Sequence, residues 1–191
     1  MSSNKPVSSG ERVLSTRKIV ISGVLAAIAI LLGVTRLGFI PVPNASGNAT
    51  IMHVPAIIGG IMEGPVVGGI IGTIFGIFSF LQATTPLFKD PLVAILPRIF
   101  IGITAYFTYA GLKKAKVNEY ISLVVAGLVG TFTNTFLVLG MAVLRKYLTA
   151  QVALTVIVTN ALFEAVVATI ITVAVVAAWK RIETGTGKSK V

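Results

Sequence analysis

The sequence predicts an all-α integral membrane protein: one bundle of six transmembrane helices with both termini in the cytoplasm. Three observations predict it. The 191 residues are 55% hydrophobic and 12% charged, with a mean hydropathy of +0.95, roughly half the charged fraction of a soluble domain. Six apolar stretches alternate with polar, proline-bearing or basic segments, and a helix needs about 20 apolar residues to cross the hydrocarbon core. The basic residues are distributed unevenly. With six crossings both termini share one side, and eleven of the sixteen Lys and Arg fall there: Lys5, Arg12, Arg17, Lys18, Lys113, Lys114, Lys116, Lys180, Arg181, Lys188 and Lys190. The positive-inside rule makes that side cytoplasmic.

Residues 1–17 form a polar stretch of Ser, Asn, Pro and Gly, expected to be a mobile tail. The membrane domain covers residues 18–181. Its first helix, from Ile19 to Val34, resembles a signal peptide in outline, but no A-x-A-like cleavage site follows. Leu37 to Thr50, with Pro41, Pro43, Asn44 and Gly47, is an outer loop. Helix two, about Ile51 to Met62, is short for a full span and stops at Gly64-Pro65. Helix three starts at Pro65, where a missing N–H costs nothing, and runs to about Leu81. Gly68, Gly72 and Gly76 share one of its faces, which lets another helix backbone approach closely.

Gln82 to Pro91 is a second outer loop. Helix four, Pro91 to about Leu112, is interrupted at Pro97-Arg98 and ends in a basic cluster. Helix five covers about Tyr120 to Leu144 and helix six about Val152 to Trp179, with Trp179 an interfacial anchor. Residues 182–191 are expected to be a disordered tail.

This topology gathers the strong polar side chains towards the outer face. Arg98 lies seven residues into helix four, about 10 Å down. Asn134 sits among Thr131, Thr133 and Thr135 in helix five, Asn160 and Glu164 share a face of helix six, and His53 begins helix two. Apart from the turn at Glu63, the inner half carries mainly hydroxyls. An ionisable group within the membrane costs about 3 kcal/mol on the milder insertion scales, so Arg98 and Glu164 need partners. Two readings stand: a structural ion pair between them, or a ligand site. In the second, Arg98 or Lys89 meets an anionic group while Asn134 and Glu164 meet hydroxyls or amides. Asn48, Thr50, Thr85 and Lys89 line the two outer loops that cover such a cavity.

Several chemistries are excluded. With no cysteine and one histidine there is no disulfide framework, thiolate metal site or bis-histidine haem site. Gly185-Thr186-Gly187-Lys188-Ser189 imitates the end of a P-loop, but Ile182 stands where its first glycine belongs. No serine sits in a nucleophile elbow. The net charge of +10 follows from topology, and there is no soluble basic face for nucleic acid. No cofactor is implied.

The segments MHVPAIIGGIMEGPVVGGIIGTIFGIFSF, PLVAILPRIFIGITAY, TNTFLVLG and NALFEAVVA, in that order, resemble the substrate-binding S components of energy-coupling factor (ECF) vitamin transporters. The resemblance covers about Lys18 to Lys180. It implies a multi-pass protein of a prokaryotic plasma membrane that captures a vitamin from outside. It also implies no enzymatic activity of its own, and docking on a transmembrane coupling subunit and two ATP-binding subunits. Docking in that family uses small residues four apart on the first helix, for which the chain offers Gly23 and Ala27, or Ser22 and Ala26. Riboflavin-binding members carry an acidic segment where this chain has Thr50-Ile51-Met52-His53. The Thr-x-Met-His-x-Pro segment, the Ala83-Thr84-Thr85-Pro86 loop and Thr133-Asn134-Thr135 look more like the pantothenate branch. The alternatives are another vitamin, such as riboflavin or a pyridoxine-like compound, or a stand-alone channel or intramembrane enzyme.

Overall fold

The computed structural model describes residues 16–41 and 48–186. Six helical segments follow in the predicted order. α1 spans Thr16–Val34, α2 Val54–Glu63 and α3 Pro65–Leu81. The fourth segment is divided into α4, Pro91–Ala94, and α5, Leu96–Lys114. α6 runs Glu119–Leu144. The sixth segment passes from α7, Ala150–Val156, through a π turn at Ile157–Ala161 into α8, Leu162–Thr186.

Among the described residues, Pro91–Lys114, Glu119–Leu144 and Ala150–Ile182 are long and apolar enough to cross a bilayer. Lys18–Val34, Val54–Glu63 and Pro65–Leu81 are apolar but shorter. Large apolar side chains stay exposed on the outer faces of α1 (Val20, Val24, Leu31) and α8 (Leu162, Val166, Ile170), a surface suited to lipid rather than water.

α2 is the centre of the bundle. Every one of its ten residues except Met62 is buried, and a helix apolar all round belongs in an interior. Its Ile57 shares one buried cluster with Ile71 of α3, Ile101 of α5, Leu123 of α6 and Val176 of α8, all fully buried. Gly64 turns the chain from α2 into α3 at φ 101°, a conformation open to glycine and strained for other residues. The glycine face of α3 does what its spacing predicts. A methyl group at Gly68 would lie 2.8 Å from the Cα atoms of both Gly60 and Gly102. At Gly72 it would strike the carbonyl oxygen of Arg98, and at Gly76 it would lie 2.8 Å from the Cα of Ile95. α3 and α5 therefore touch backbone to backbone, the closest approach dispersion can use.

The structure departs from the sequence reading at several points. Within the segment expected to be the first outer loop, β1 Phe39–Pro41 pairs antiparallel with β2 Asn48–Thr50 as a ribbon. The second contains a 3₁₀ turn, Pro86–Lys89. α1 begins at Thr16, inside the assigned tail, whose residues 1–15 lie outside the described residues. α8 runs on to Thr186, so residues 182–186 are helical rather than tail, because Ile182-Glu183-Thr184 holds no breaker and one glycine costs only about 1 kcal/mol. Residues 187–191 lie outside the described residues.

The end of the bundle away from His53 is also more polar than expected. Glu119 accepts from Tyr109 Oη at 2.8 Å and from Lys180 Nζ at 2.5 Å, and pairs with Lys113 Nζ at 2.9 Å. Lys180 also donates to Tyr109. This cluster ties α5, α6 and α8 together.

Candidate functional site

Arg98 owes its place to Pro97. A proline has no N–H and its ring clashes with the carbonyl four residues back, here Val93, so the helix breaks at Ile95 between α4 and α5. The Val93 carbonyl loses its helical donor, and the guanidinium of Arg98 supplies one through Nη1. The Cζ of Arg98 lies 5.6 Å from the ring centre of Phe75 and 5.2 Å from that of Phe88, within cation–π range of both. Arg98 is only 5% exposed, and its Nε has no hydrogen-bond partner.

His53 caps the N-terminus of α2 without a side-chain capping bond, which frees its ring for α6. Its Nε2 lies 3.0 Å from the hydroxyl of Thr131. That hydroxyl donates its one proton to the carbonyl of Gly127, 3.0 Å away. With that proton on Gly127, the hydroxyl is free to accept from an Nε2–H, the tautomer that leaves Nδ1 as an acceptor. Nδ1 is buried without a partner, on a fully buried residue.

α6 contributes Thr131, Asn134 and Thr135 from its inward stripe, all buried. Asn134 Oδ1 is likewise buried without a partner, as are the Thr169 and Thr172 hydroxyls of α8. Thr133 faces Thr104 of α5 instead, 2.9 Å away. Asn160 is buried within the π turn, and such turns recur at functional sites because they redirect one side chain without breaking the helix. Four residues on, Glu164 accepts from the backbone N–H of Thr50 at 2.8 Å, fastening β2 to α8.

Arg98 and Glu164 do not pair. Among the described residues Arg98 bonds the Val93 carbonyl and Glu164 the Thr50 amide, so the structural ion pair is not formed. Each charge has found a nearby backbone group instead. The other candidates separate. Thr50 uses its hydroxyl to accept from Met52 N, 3.3 Å away, at the start of α2. Thr85 and Lys89 are exposed, flanking and ending the 3₁₀ turn, unlike the buried His53, Arg98, Asn134, Asn160 and Glu164. Asn48 is described through its backbone, paired with Pro41; its side chain lies outside the described residues. Two clefts open elsewhere, one of about 330 Å³ beside Lys18, Glu63 and Tyr106, the other of about 460 Å³ beside Tyr120, Ala174 and Arg181. Neither is lined by His53, Arg98, Asn134, Asn160 or Glu164.

The four small residues on α1 divide between two faces. Ser22 and Ala26 are buried against the bundle, whereas Gly23 and Ala27 are exposed. Nothing lies within 4 Å of a Cβ built on Gly23. Only the second pair presents a smooth outer surface.

Sequence reasoning placed Asp90 with the polar residues of the second loop and gave it no specific partner. Its Oδ2 accepts from Arg145 Nε at 2.7 Å and its Oδ1 caps α4 by accepting from Leu92 N at 2.9 Å. The capping half was readable, since Asp-Pro before an apolar run is a helix start. The pairing with Arg145, 55 residues on, had no local signal.

Comparisons with known proteins place the chain in a family and a fold. A family model described as the ECF transporter substrate-specific component matches residues 17–176. The chain is 34% identical over 154 residues to the pantothenic acid transporter PanT of Lactococcus lactis subsp. cremoris, covering 68% of this chain and 76% of that protein. Its fold is similar to that of a solved S component of a bacterial ECF transporter, with a TM-score of 0.62 at 18% identity over 89% of this chain and 97% of that one. It is also similar to ThiT from Listeria monocytogenes, with a TM-score of 0.63 at 18% identity over 86% and 96%.

Proposed function

The chain belongs to the family of ECF transporter substrate-specific components, and we propose that it captures pantothenate at the outer face of the membrane for import. The family is one of transporter substrate-binding components rather than enzymes, which sets aside the intramembrane enzyme reading. Likeness to PanT supports the substrate, and so does the chemistry of the buried cluster.

The observation that carries the proposal is three of the five buried polar side-chain atoms without partners among the described residues: Arg98 Nε, a cationic donor, and His53 Nδ1 and Asn134 Oδ1, both read as acceptors; the other two are the Thr169 and Thr172 hydroxyls of α8. Buried polar groups are normally satisfied. A ligand satisfying all three carries an anionic acceptor and at least two donors. Pantothenate has a carboxylate, an amide N–H and two hydroxyls, and fits that description. A cationic vitamin would meet Arg98 unfavourably.

In this reading the bundle has six crossings with cytoplasmic termini in a prokaryotic plasma membrane. The ribbon and the segment from Thr85 to Lys89 cover the ligand. The exposed Gly23–Ala27 face of α1 docks on the coupling subunit, and ATP is hydrolysed by two separate subunits. Single cysteines at Asn44 and Lys114 then label from opposite sides of intact cells; labelling from the same side contradicts the topology. For the substrate, purified protein in detergent is titrated calorimetrically with pantothenate, riboflavin and pyridoxine. One pantothenate per chain, with no chemical conversion and no ATP hydrolysis, is expected. Saturable binding of riboflavin or pyridoxine instead keeps the architecture and overturns the substrate.

A further inference from the structure

The groups that hold the Arg98 guanidinium belong largely to one short segment. The Val93 carbonyl comes from α4 and the Phe88 ring from the 3₁₀ turn before it, with only Phe75 contributed from α3. Neither turn is long enough to be stable alone, since isolated helices below about 12 residues are marginal in water. The orientation of Arg98 is therefore no better defined than the tertiary anchors of residues 86–94.

Two anchors are visible. Val93 is fully buried against Val138 and Ala142 of α6, with Phe88, Leu87, Met141 and Leu148 around them. The other anchor is Asp90. One carboxylate oxygen caps α4 and the other accepts from Arg145. Arg145 is itself held at the end of α6, where Lys146 adopts φ 60° and Tyr147 N donates to the Ala142 carbonyl at 2.9 Å, the closing bond of a helix C-cap. The Asp90 side chain is 5% exposed and that of Arg145 48%, so the pair sits at the rim of the bundle with its acid turned inward. The path runs from the end of α6 through Arg145 and Asp90 to the first turn of α4, then through the Val93 carbonyl to Arg98.

We propose that Asp90 and Arg145 are positioning residues that orient the Arg98 guanidinium and thereby set the preference of the site for an anionic ligand over its neutral analogue. The ligand half of this inference rests on the reading of Arg98 as the partner of a carboxylate. The geometric half stands without it. Hydrophobic packing of Val93 fixes how deep α4 sits but not its rotation about its own axis. A charge-assisted bond at the helix start fixes rotation as well.

Three variants separate the roles. Asp90→Asn keeps a good N-cap and removes the ionic partner. Arg145→Ala removes the pair, and Arg145→Lys restores the charge without the guanidinium geometry. The first measurement needs no ligand: ¹⁵N-arginine spectra of the detergent-solubilised chain, with the Arg98 Nε signal identified by its loss in Arg98→Lys. The Arg98 signal is expected to move in Arg145→Ala and Asp90→Asn, and to return towards its original position in Arg145→Lys. The second is titration with pantothenate and with panthenol, which has a hydroxyl in place of the carboxylate. Pantothenate affinity is expected to fall about fivefold in Arg145→Ala, the scale of a partly exposed ion pair, while panthenol affinity changes little. An unmoved Arg98 signal in both loss variants overturns the inference, and so does equal weakening of the two ligands. If the Arg98 signal moves as expected but the parent protein binds neither ligand, the positioning role is supported and the substrate reading fails. Should Arg145→Ala not fold, Asp90→Asn carries both measurements.

Discussion

Gly72 of α3 faces the backbone carbonyl of Arg98 with no space for a side chain between them. The glycine that lets α3 and α5 meet also fixes the height of Arg98 in the bundle. Packing and site are thus one construction, and a change in the first propagates to the second.

Gly72→Ala is therefore expected to push α5 away and cost about 1–3 kcal/mol, the range for overpacking a tight core, with pantothenate affinity falling alongside. Gly23→Ala, where a Cβ meets nothing within 4 Å, is expected to leave affinity unchanged and to raise stability by up to about 1 kcal/mol, the helix propensity of alanine over glycine. Thermal unfolding in detergent and ligand titration on the two variants check the contrast.

The only histidine of the chain gives its own spectroscopic test. ¹⁵N spectra are expected to show a hydrogen on Nε2 of His53 and none on Nδ1, the arrangement in which Thr131 donates to Gly127 and accepts from the ring. Thr131→Val removes the acceptor and leaves a buried donor unsatisfied, a loss of about 1–3 kcal/mol. A hydrogen on Nδ1 in the parent protein contradicts this arrangement.

Neighbouring positions on α1 are expected to respond in opposite ways. Ala27→Trp adds bulk to an exposed face and should abolish co-purification with the coupling subunit while sparing vitamin binding. Ala26→Trp adds the same bulk at a position 5% exposed and should destabilise the bundle itself. Loss of vitamin binding in Ala27→Trp would mean that this face packs inside.

Lys116 closes α5 at φ 58°, with Val117 N donating to the Leu112 carbonyl at 3.0 Å. A side chain in this left-handed conformation costs about 1 kcal/mol relative to glycine. Lys116→Gly is expected to raise the unfolding temperature and Lys116→Val to lower it.

Much of this was legible in the sequence because membrane helices announce themselves. Gly64-Pro65 marks a hairpin by the conformations those residues alone accept, and Gly68, Gly72 and Gly76 mark a contact face by spacing alone. Buried polar residues such as Arg98 and Glu164 were legible as costs, since lipid tolerates no unpartnered charge. Their partners were not. Arg98 and Glu164 are each answered by a backbone group, Val93 and Thr50, and backbone groups leave no trace in a sequence. The α1 register was equally hidden, because one residue rotates a helix by about 100° and Ser22–Ala26 and Gly23–Ala27 read alike until burial separates them. The π turn around Asn160 has no proline or glycine to betray it.

The most direct test of the site is calorimetric titration of Arg98→Ala, with Arg98→Met as a better-packed companion, against pantothenate and panthenol. Losing a hydrogen bond to a charged group costs about 1.5–3 kcal/mol, so pantothenate affinity is expected to fall roughly ten- to hundredfold and panthenol affinity much less. Folded variants that bind pantothenate as tightly as the parent protein, or that lose both ligands equally, would contradict the assignment of Arg98 as the carboxylate partner.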